Sequence, residues 1–143
     1  MIVFAGTSEL TIDDKGRLAL PSKFRAVLPP GPVGSNGVAF YCVPLGPRLL
    51  LVPESEFLAI AALPEARVRI GLEQQEISKA RLFALSERVE PDGTGRLLLP
   101  REMVHRLELT NEVFVMGAGT HLEVRGKQDG KKELAVLMEE DEQ

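Results

Sequence analysis

The chain has one cysteine and two histidines in 143 residues, and that scarcity removes several kinds of chemistry at once. Cys42 alone cannot close an internal disulfide, and its place inside an apolar run marks a small buried hydrophobe in a reducing cytoplasm. His105 and His121 lie 16 positions apart with no cysteine nearby, which is not a zinc spacing. There is no GxxxxGK[ST] and no GxGxxG, so no phosphate cradle is written in the chain. Ser8, Ser22, Ser35, Ser55, Ser78 and Ser86 all lack the context of a nucleophile elbow. No metal, no cofactor and no enzymatic activity are expected. A run of about 18 apolar residues is missing, so no membrane span is expected. The N-terminus has no basic region leading into a long apolar stretch, so no secretory signal is read and the expected location is cytoplasmic.

What the chain does have is enough apolar material for a core. Hydrophobic residues make up 44% of it, with a mean hydropathy of +0.01. Its net charge of −4 weighs against nucleic-acid binding, because phosphate contacts supply most of that affinity. The distribution changes the picture. Residues 133–143 hold Glu133, Glu139, Glu140, Asp141 and Glu142 with no Lys or Arg, a local −5, so the remaining 132 residues carry +1. Residues 15–25 hold Lys15, Arg17, Lys23 and Arg25 and no acid. A basic patch therefore exists near residue 17, with much of the acid placed in a terminal segment.

One phrase occurs twice. Asp13-Asp14-Lys15-Gly16-Arg17-Leu18-Ala19-Leu20-Pro21 returns as Asp92-Gly93-Thr94-Gly95-Arg96-Leu97-Leu98-Leu99-Pro100, six of nine positions agreeing at an offset of 79. A repeat of half-chain length means two copies of one structural unit. Leu10 and Ile12 alternate with polar neighbours, which predicts a strand. Asp13 to Gly16 carry turn chemistry, with Gly supplying a positive φ. Arg17 to Leu20 read as a second short strand, and Pro21 suits the first turn of a helix whose apolar stripe is Phe24, Val27 and Leu28. Met103 and Leu107 take the matching positions in the second copy. Pro29-Pro30-Gly31-Pro32 ends the first helix. Two further strands follow each helix, residues 38–43 and 49–52 in one half, 113–116 and 122–124 in the other, the latter pair joined by a turn at Gly117-Ala118-Gly119. Each half is thus predicted as ββαββ, too small for a good core alone.

Between the halves, Pro53-Glu54-Ser55-Glu56 opens a helix that Leu63-Pro64 breaks, and residues 65–85 read as a second, longer helix with Ile70, Ile77, Ala80 and Ala84 on one stripe. This pair of linker helices either packs inside one subunit or meets a neighbouring one. Residues 130–142 read either as a third helix carrying Leu134, Leu137 and Met138 or as a disordered acidic tail. The expected organisation is a first module over 1–53, linker helices over 54–85, a second module over 86–125, and a C-terminal helix or tail over 126–143.

The two DxxxR motifs, Asp13 to Arg17 and Asp92 to Arg96, each followed by an apolar pair and Pro, resemble the MraZ family. So do the opening Met1-Ile2-Val3-Phe4-Ala5-Gly6 and the Leu82-Phe83 ahead of the second copy, and the resemblance covers nearly the whole chain. It implies an α+β fold, a swapped-hairpin β-barrel of the AbrB type made from two fused modules. It also implies a ring-shaped homo-oligomer that binds short direct repeats in the promoter of the division and cell-wall gene cluster, its own gene included, and a nucleoid-associated location. The implied partner is double-stranded DNA, with Arg17 as reader, Lys15 beside it and Asp13 in support. Arg96 and Asp92 match in the second module, where Thr94 stands in place of Lys15.

Arginine is suited to that role because it can donate two coplanar bonds to O6 and N7 of guanine in the major groove. A carboxylate four residues earlier can hold the guanidinium in one rotamer. The competing reading is a salt bridge that pins a turn and reads nothing. Lys23 and Arg25, on the short helix, either touch phosphate or form a solvated face. Gly16 and Gly95 are the turn glycines that support Arg17 and Arg96. Two other functions are open from sequence: an antitoxin-like protein that neutralises a partner toxin, and a structural oligomer with no DNA role.

Overall fold

Each repeat folds as the strand–turn–strand–helix–strand–strand unit its pattern predicts. In the computed structural model, which describes residues 1–109 and 111–140, the first unit comprises β1 (Thr7–Thr11), β2 (Arg17–Ala19), α1 (Ser22–Arg25), β3 (Phe40–Leu45) and β4 (Arg48–Pro53). The second comprises β7 (Glu87–Val89), β8 (Arg96–Leu98), α4 (Arg101–Arg106), β9 (Glu112–Gly117) and β10 (Leu122–Gly126). Between them lie α2 (Glu54–Ala62), β5 (Arg67–Ile70), β6 (Gln75–Ser78) and α3 (Lys79–Leu85), and α5 (Lys127–Glu140) follows the second unit. The first helix is a single turn, yet Val27 and Leu28 still pack on the core beyond its end.

The two units interlock. A six-stranded antiparallel sheet runs in the order β1-β9-β10-β4-β3-β7, and β2 pairs with β8 in a separate ribbon. The contacts β1·β9, β10·β4, β3·β7 and β2·β8 all join one repeat to the other. This is a mixed α+β architecture of antiparallel sheets. The opening residues add an isolated bridge from Phe4 to Gly119 rather than a full strand.

β4 shows how the sheet is covered on both sides. Every residue of it is buried, and successive side chains go to opposite faces. Leu49 and Leu51 join Leu18, Leu20, Phe24, Leu97, Leu99 and Leu109 in the core beneath the ribbon. Leu50 and Val52 join Phe57, Val68, Ile70, Ile77 and Leu82 from the linker. Fully burying a Leu or Val stabilises by roughly 1.5–3 kcal/mol, so the linker is part of the fold and not a tether.

The linker corrects one expectation. Residues 65–85 are not a single long helix: β5 and β6 form a hairpin, and only Lys79–Leu85 is helical. Arg67-Val68-Arg69-Ile70 alternates exposed and buried, and the β-branched Val68, Ile70 and Ile77 fit a pleated, half-buried surface better than a helix. The earlier helix over Glu54–Ala62 is present. At the C-terminus the helical alternative holds through residue 140, beginning at Lys127, with Leu134 half-buried and Val136 and Met138 exposed. The acidic positions Asp141 and Glu142 lie outside the described residues. Cys42 is fully buried, and burial pushes its thiol up to about 12.

Candidate nucleic-acid interface

The repeated Asp builds each turn through its own side chain. Asp13 Oδ1 accepts the backbone N–H of Lys15 at 3.0 Å and of Arg17 at 2.8 Å, while Oδ2 accepts Arg17 Nε at 2.7 Å. Backbone bonds from Gly16 N to Asp13 O and from Asp13 N to Arg17 O, both 3.0 Å, close the loop. The second copy repeats this bond for bond. Asp92 Oδ1 accepts from the backbone of Thr94 and of Arg96, both at 2.9 Å, and Oδ2 accepts Arg96 Nε at 3.0 Å. Gly16 and Gly95 sit at φ of +87° and +81°, a region that costs other residues about 1–2 kcal/mol. The spacing D-x-x-x-R is therefore a geometric requirement: one carboxylate reaches both the turn amides and the guanidinium that follows.

The electrostatics agree. The backbone N–H of Arg17 is the largest cause holding the Asp13 carboxyl below its ordinary value, with the Arg17 guanidinium adding to it. Asp92 is depressed further, led by the Arg96 backbone N–H and helped by the amide and hydroxyl of Thr94. Both carboxylates are thus fixed as anions that steer a guanidinium.

Only Nε of each arginine is used this way. Among the described residues, neither terminal nitrogen of Arg17 or of Arg96 makes a hydrogen bond to the protein. Their side chains are 27% and 34% exposed, and the two turns' carboxylates 33% and 37%. Each guanidinium is therefore held at its base with its fork free.

The ribbon then brings the two arginines together. In the β2·β8 register, Arg17 faces Leu98, Leu18 faces Leu97, and Ala19 faces Arg96. Leu18 and Leu97 point into the core, so Arg17, Ala19, Arg96 and Leu98 share the outer face. The antiparallel pairing puts one turn at each end of the ribbon, and Leu99 N donates to Gly16 O at 2.9 Å to join the first turn to the far strand.

The other cations of the first turn, α1 and the start of α4 fall into three groups. Lys15 is exposed at the tip of the first turn, whereas Thr94 spends its hydroxyl on Asp92 at 2.9 Å. Lys23 donates to Thr7 O at 3.0 Å and lies 5.1 Å from the Phe24 ring centroid, and Arg25 Nε donates to Leu20 O at 3.0 Å. These two are tied to the scaffold on α1, away from the ribbon register. Arg101, not singled out from sequence, opens α4 and lines a groove of about 210 Å³ against Asp13, Lys15 and Gly16. Its only sequence signal is its position 79 after Ser22, beside the other repeat's turn.

A second charged cluster, also missed from sequence, lies inside the fold. Arg48, Glu123 and Arg125 are 3%, 0% and 2% exposed. Arg125 Nη2 donates to Glu123 Oε1 at 2.7 Å, and Arg48 Nε lies 3.2 Å from the same oxygen. Glu123 Oε2 accepts the Leu72 N–H at 2.6 Å, and Arg125 Nη1 donates to Asp129 at 3.0 Å. This cluster pins the linker hairpin and α5 to the sheet. Among the described residues, no group of three or more His, Cys, Asp or Glu is placed to hold a metal ion, and no helix is long and apolar enough to cross a membrane.

These features define a duplicated α+β protein whose interlocked halves present a shared ribbon with two carboxylate-held arginines. A family model described as "MraZ protein, putative antitoxin-like" matches residues 3–30 and 82–141, which take in both DxxxR turns. The chain is 34% identical over 122 residues to the transcriptional regulator MraZ of Saccharopolyspora erythraea, covering 85% of this chain and 80% of that protein. It is 31% identical over 140 residues to the transcriptional regulator MraZ of Neisseria meningitidis serogroup C, covering 97% and 90%. The Roseiflexus sp. (strain RS-1) protein of the same name is 34% identical over 122 residues. The chain belongs to the MraZ family.

Proposed function

We propose that this protein is a transcriptional regulator that binds double-stranded DNA sequence-specifically, as a ring-like homo-oligomer, at direct repeats in the promoter of the division and cell-wall gene cluster that includes its own gene. The observation that carries the reading is the outer face of the ribbon. Two guanidinium groups stand there with their forks unpaired among the described residues, and a two-stranded ribbon is narrow enough for the major groove. The relatives' name, transcriptional regulator, supports the same reading.

In this reading Arg17 addresses guanine O6 and N7 end-on while Asp13 keeps its rotamer fixed. Lys15 and Arg101, flanking the first turn, meet phosphates. Arg96 does the same work as Arg17 with less help, because Thr94 brings no charge. Lys23 and Arg25 add to the positive field from α1. The cross-repeat strand pairing supports a swapped-hairpin barrel as the finer description of the fold. Exposed Leu58, Leu63, Phe83 and Leu85 around the linker helices supply apolar surface for a neighbouring subunit. A ring presents several weak readers to several repeats, and effective concentration converts them into tight binding. Such a protein works in the cytoplasm, at the nucleoid.

The test is a mobility-shift titration with the DNA upstream of its own gene over a salt series. Saturable binding that weakens steeply with salt is expected. No shift of any fragment at low salt would overturn the reading. The family description supports a second one, in which the protein neutralises a toxin. Co-purification of a small basic partner from the native source, without promoter binding, would favour it.

A further inference from the structure

Between the two arginines the ribbon carries an apolar side chain that the fold leaves in solvent. Leu98 is 57% exposed, while its neighbours Leu97 and Leu99 are each 1% exposed. It stands directly opposite Arg17, and Ala19 stands opposite Arg96. The outer face is thus a square with cations on one diagonal and apolar groups on the other. Cross-strand partners lie about 4.5–5.5 Å apart and diagonal ones about 7–8 Å. Successive bases on one DNA strand are about 3.4 Å apart. Measured along the ribbon, Leu98 therefore sits about one to two base steps from the position of Arg17.

We propose that Leu98 is a specificity-determining residue that packs against the C5-methyl group of a thymine in the major groove. This rests on the DNA-binding reading given above. Thymine is the one base that offers an apolar group on that side of the pair, and apolar side chains are what read it. The groups around Leu98 select the occupant: each guanidinium is paired at Nε with its aspartate and, among the described residues, keeps its terminal nitrogens without a protein partner, which suits the acceptor edge of a base beside a methyl group. Ala19 occupies the equivalent place in the first repeat but is too short to reach as far. The two repeats therefore present unlike faces to the duplex, and the ribbon reads its site asymmetrically, with the thymine on the side of Leu98.

The experiment measures binding of the full chain to the duplex upstream of its own gene, by fluorescence anisotropy at one salt concentration. Each thymine is replaced in turn by deoxyuridine, which deletes only the methyl group. At least one replacement is expected to weaken wild-type binding about three- to fivefold, the worth of one buried methyl. Leu98→Ala is expected to weaken binding to the unmodified duplex by at least as much and to be indifferent to that same replacement, with particle mass unchanged. Additive losses, an absence of any deoxyuridine effect, or a changed particle mass in Leu98→Ala would overturn the proposal, the last by placing Leu98 in a contact between copies. If wild type binds and Arg17→Ala does not, while Leu98→Ala binds like wild type, the thymine contact alone fails. If wild type binds no such fragment, the DNA reading fails and this proposal fails with it.

Discussion

Arg17 and Arg96 stand diagonally across one antiparallel ribbon, on the same solvent face, each held through Nε by the aspartate four positions before it. The two copies of the motif are thus halves of one surface. They differ where Lys15 is replaced by Thr94. Replacing that threonine with lysine is expected to tighten DNA binding several-fold at low salt and to lose the gain at high salt. Arg96→Ala should weaken binding less than Arg17→Ala does. Anisotropy titrations at two salt concentrations check both. No effect from either change would remove the second turn from the interface.

Acid should reveal the turn carboxylates. Asp13 and Asp92 are both held below the ordinary aspartate value near 3.8, chiefly by the backbone N–H of Arg17 and of Arg96. A carboxylate depressed in the folded state contributes stability that is present above its unfolded value and lost as pH falls through its folded value. Carbon-detected NMR titration should find both groups more than half ionised at pH 3.8, with Asp92 the last to protonate. Arg17→Ala should raise Asp13 only part of the way, because the backbone N–H bonds remain. An ordinary value for Asp13 in the wild-type protein would contradict the turn geometry.

The buried cluster makes a stability prediction. Glu123→Ala removes the fully buried anion between Arg48 and Arg125, leaving them the half-exposed Glu73 as a common partner, and takes away the acceptor of the Leu72 N–H. Breaking a buried ion pair from one side costs about 3–5 kcal/mol. Urea unfolding should show a loss of that size, with the linker hairpin and α5 losing protection against hydrogen exchange first. A loss below about 1 kcal/mol would mean that the cluster does not hold these elements.

Cys42 gives a check on the core. Its thiol is buried between the layers and pushed up to about 12, so almost no thiolate exists at neutral pH. Reaction with a thiol reagent should be slow in the native protein and fast in denaturant. Fast native reaction would mean that the sheet opens readily at β3.

The sequence made the repeat legible because its turns depend on particular residue types. Asp, Gly and Arg at fixed spacing are dictated by one carboxylate bonding two amides and a guanidinium, so the motif survives in both copies. The linker was harder to read because Ile70 and Ile77 fit a helical stripe as well as they fit the two strands of a hairpin. Burial against Leu50 and Val52 decided the matter, and that is a tertiary fact. Arg48 and Arg125 flank the apolar runs 49–52 and 122–124, and nothing local shows that they lie opposite each other across β4 and β10. The shared arginine face was likewise invisible: each motif lies within one repeat, but the ribbon pairs residues from both.

The most direct test measures the affinity of Arg17→Ala for the DNA upstream of its own gene, together with the particle mass of the same sample. Unchanged mass and a loss on the order of tenfold or more, the worth of one bidentate guanine contact, are expected. Wild-type affinity in that variant, at unchanged mass, would contradict the proposed role of Arg17.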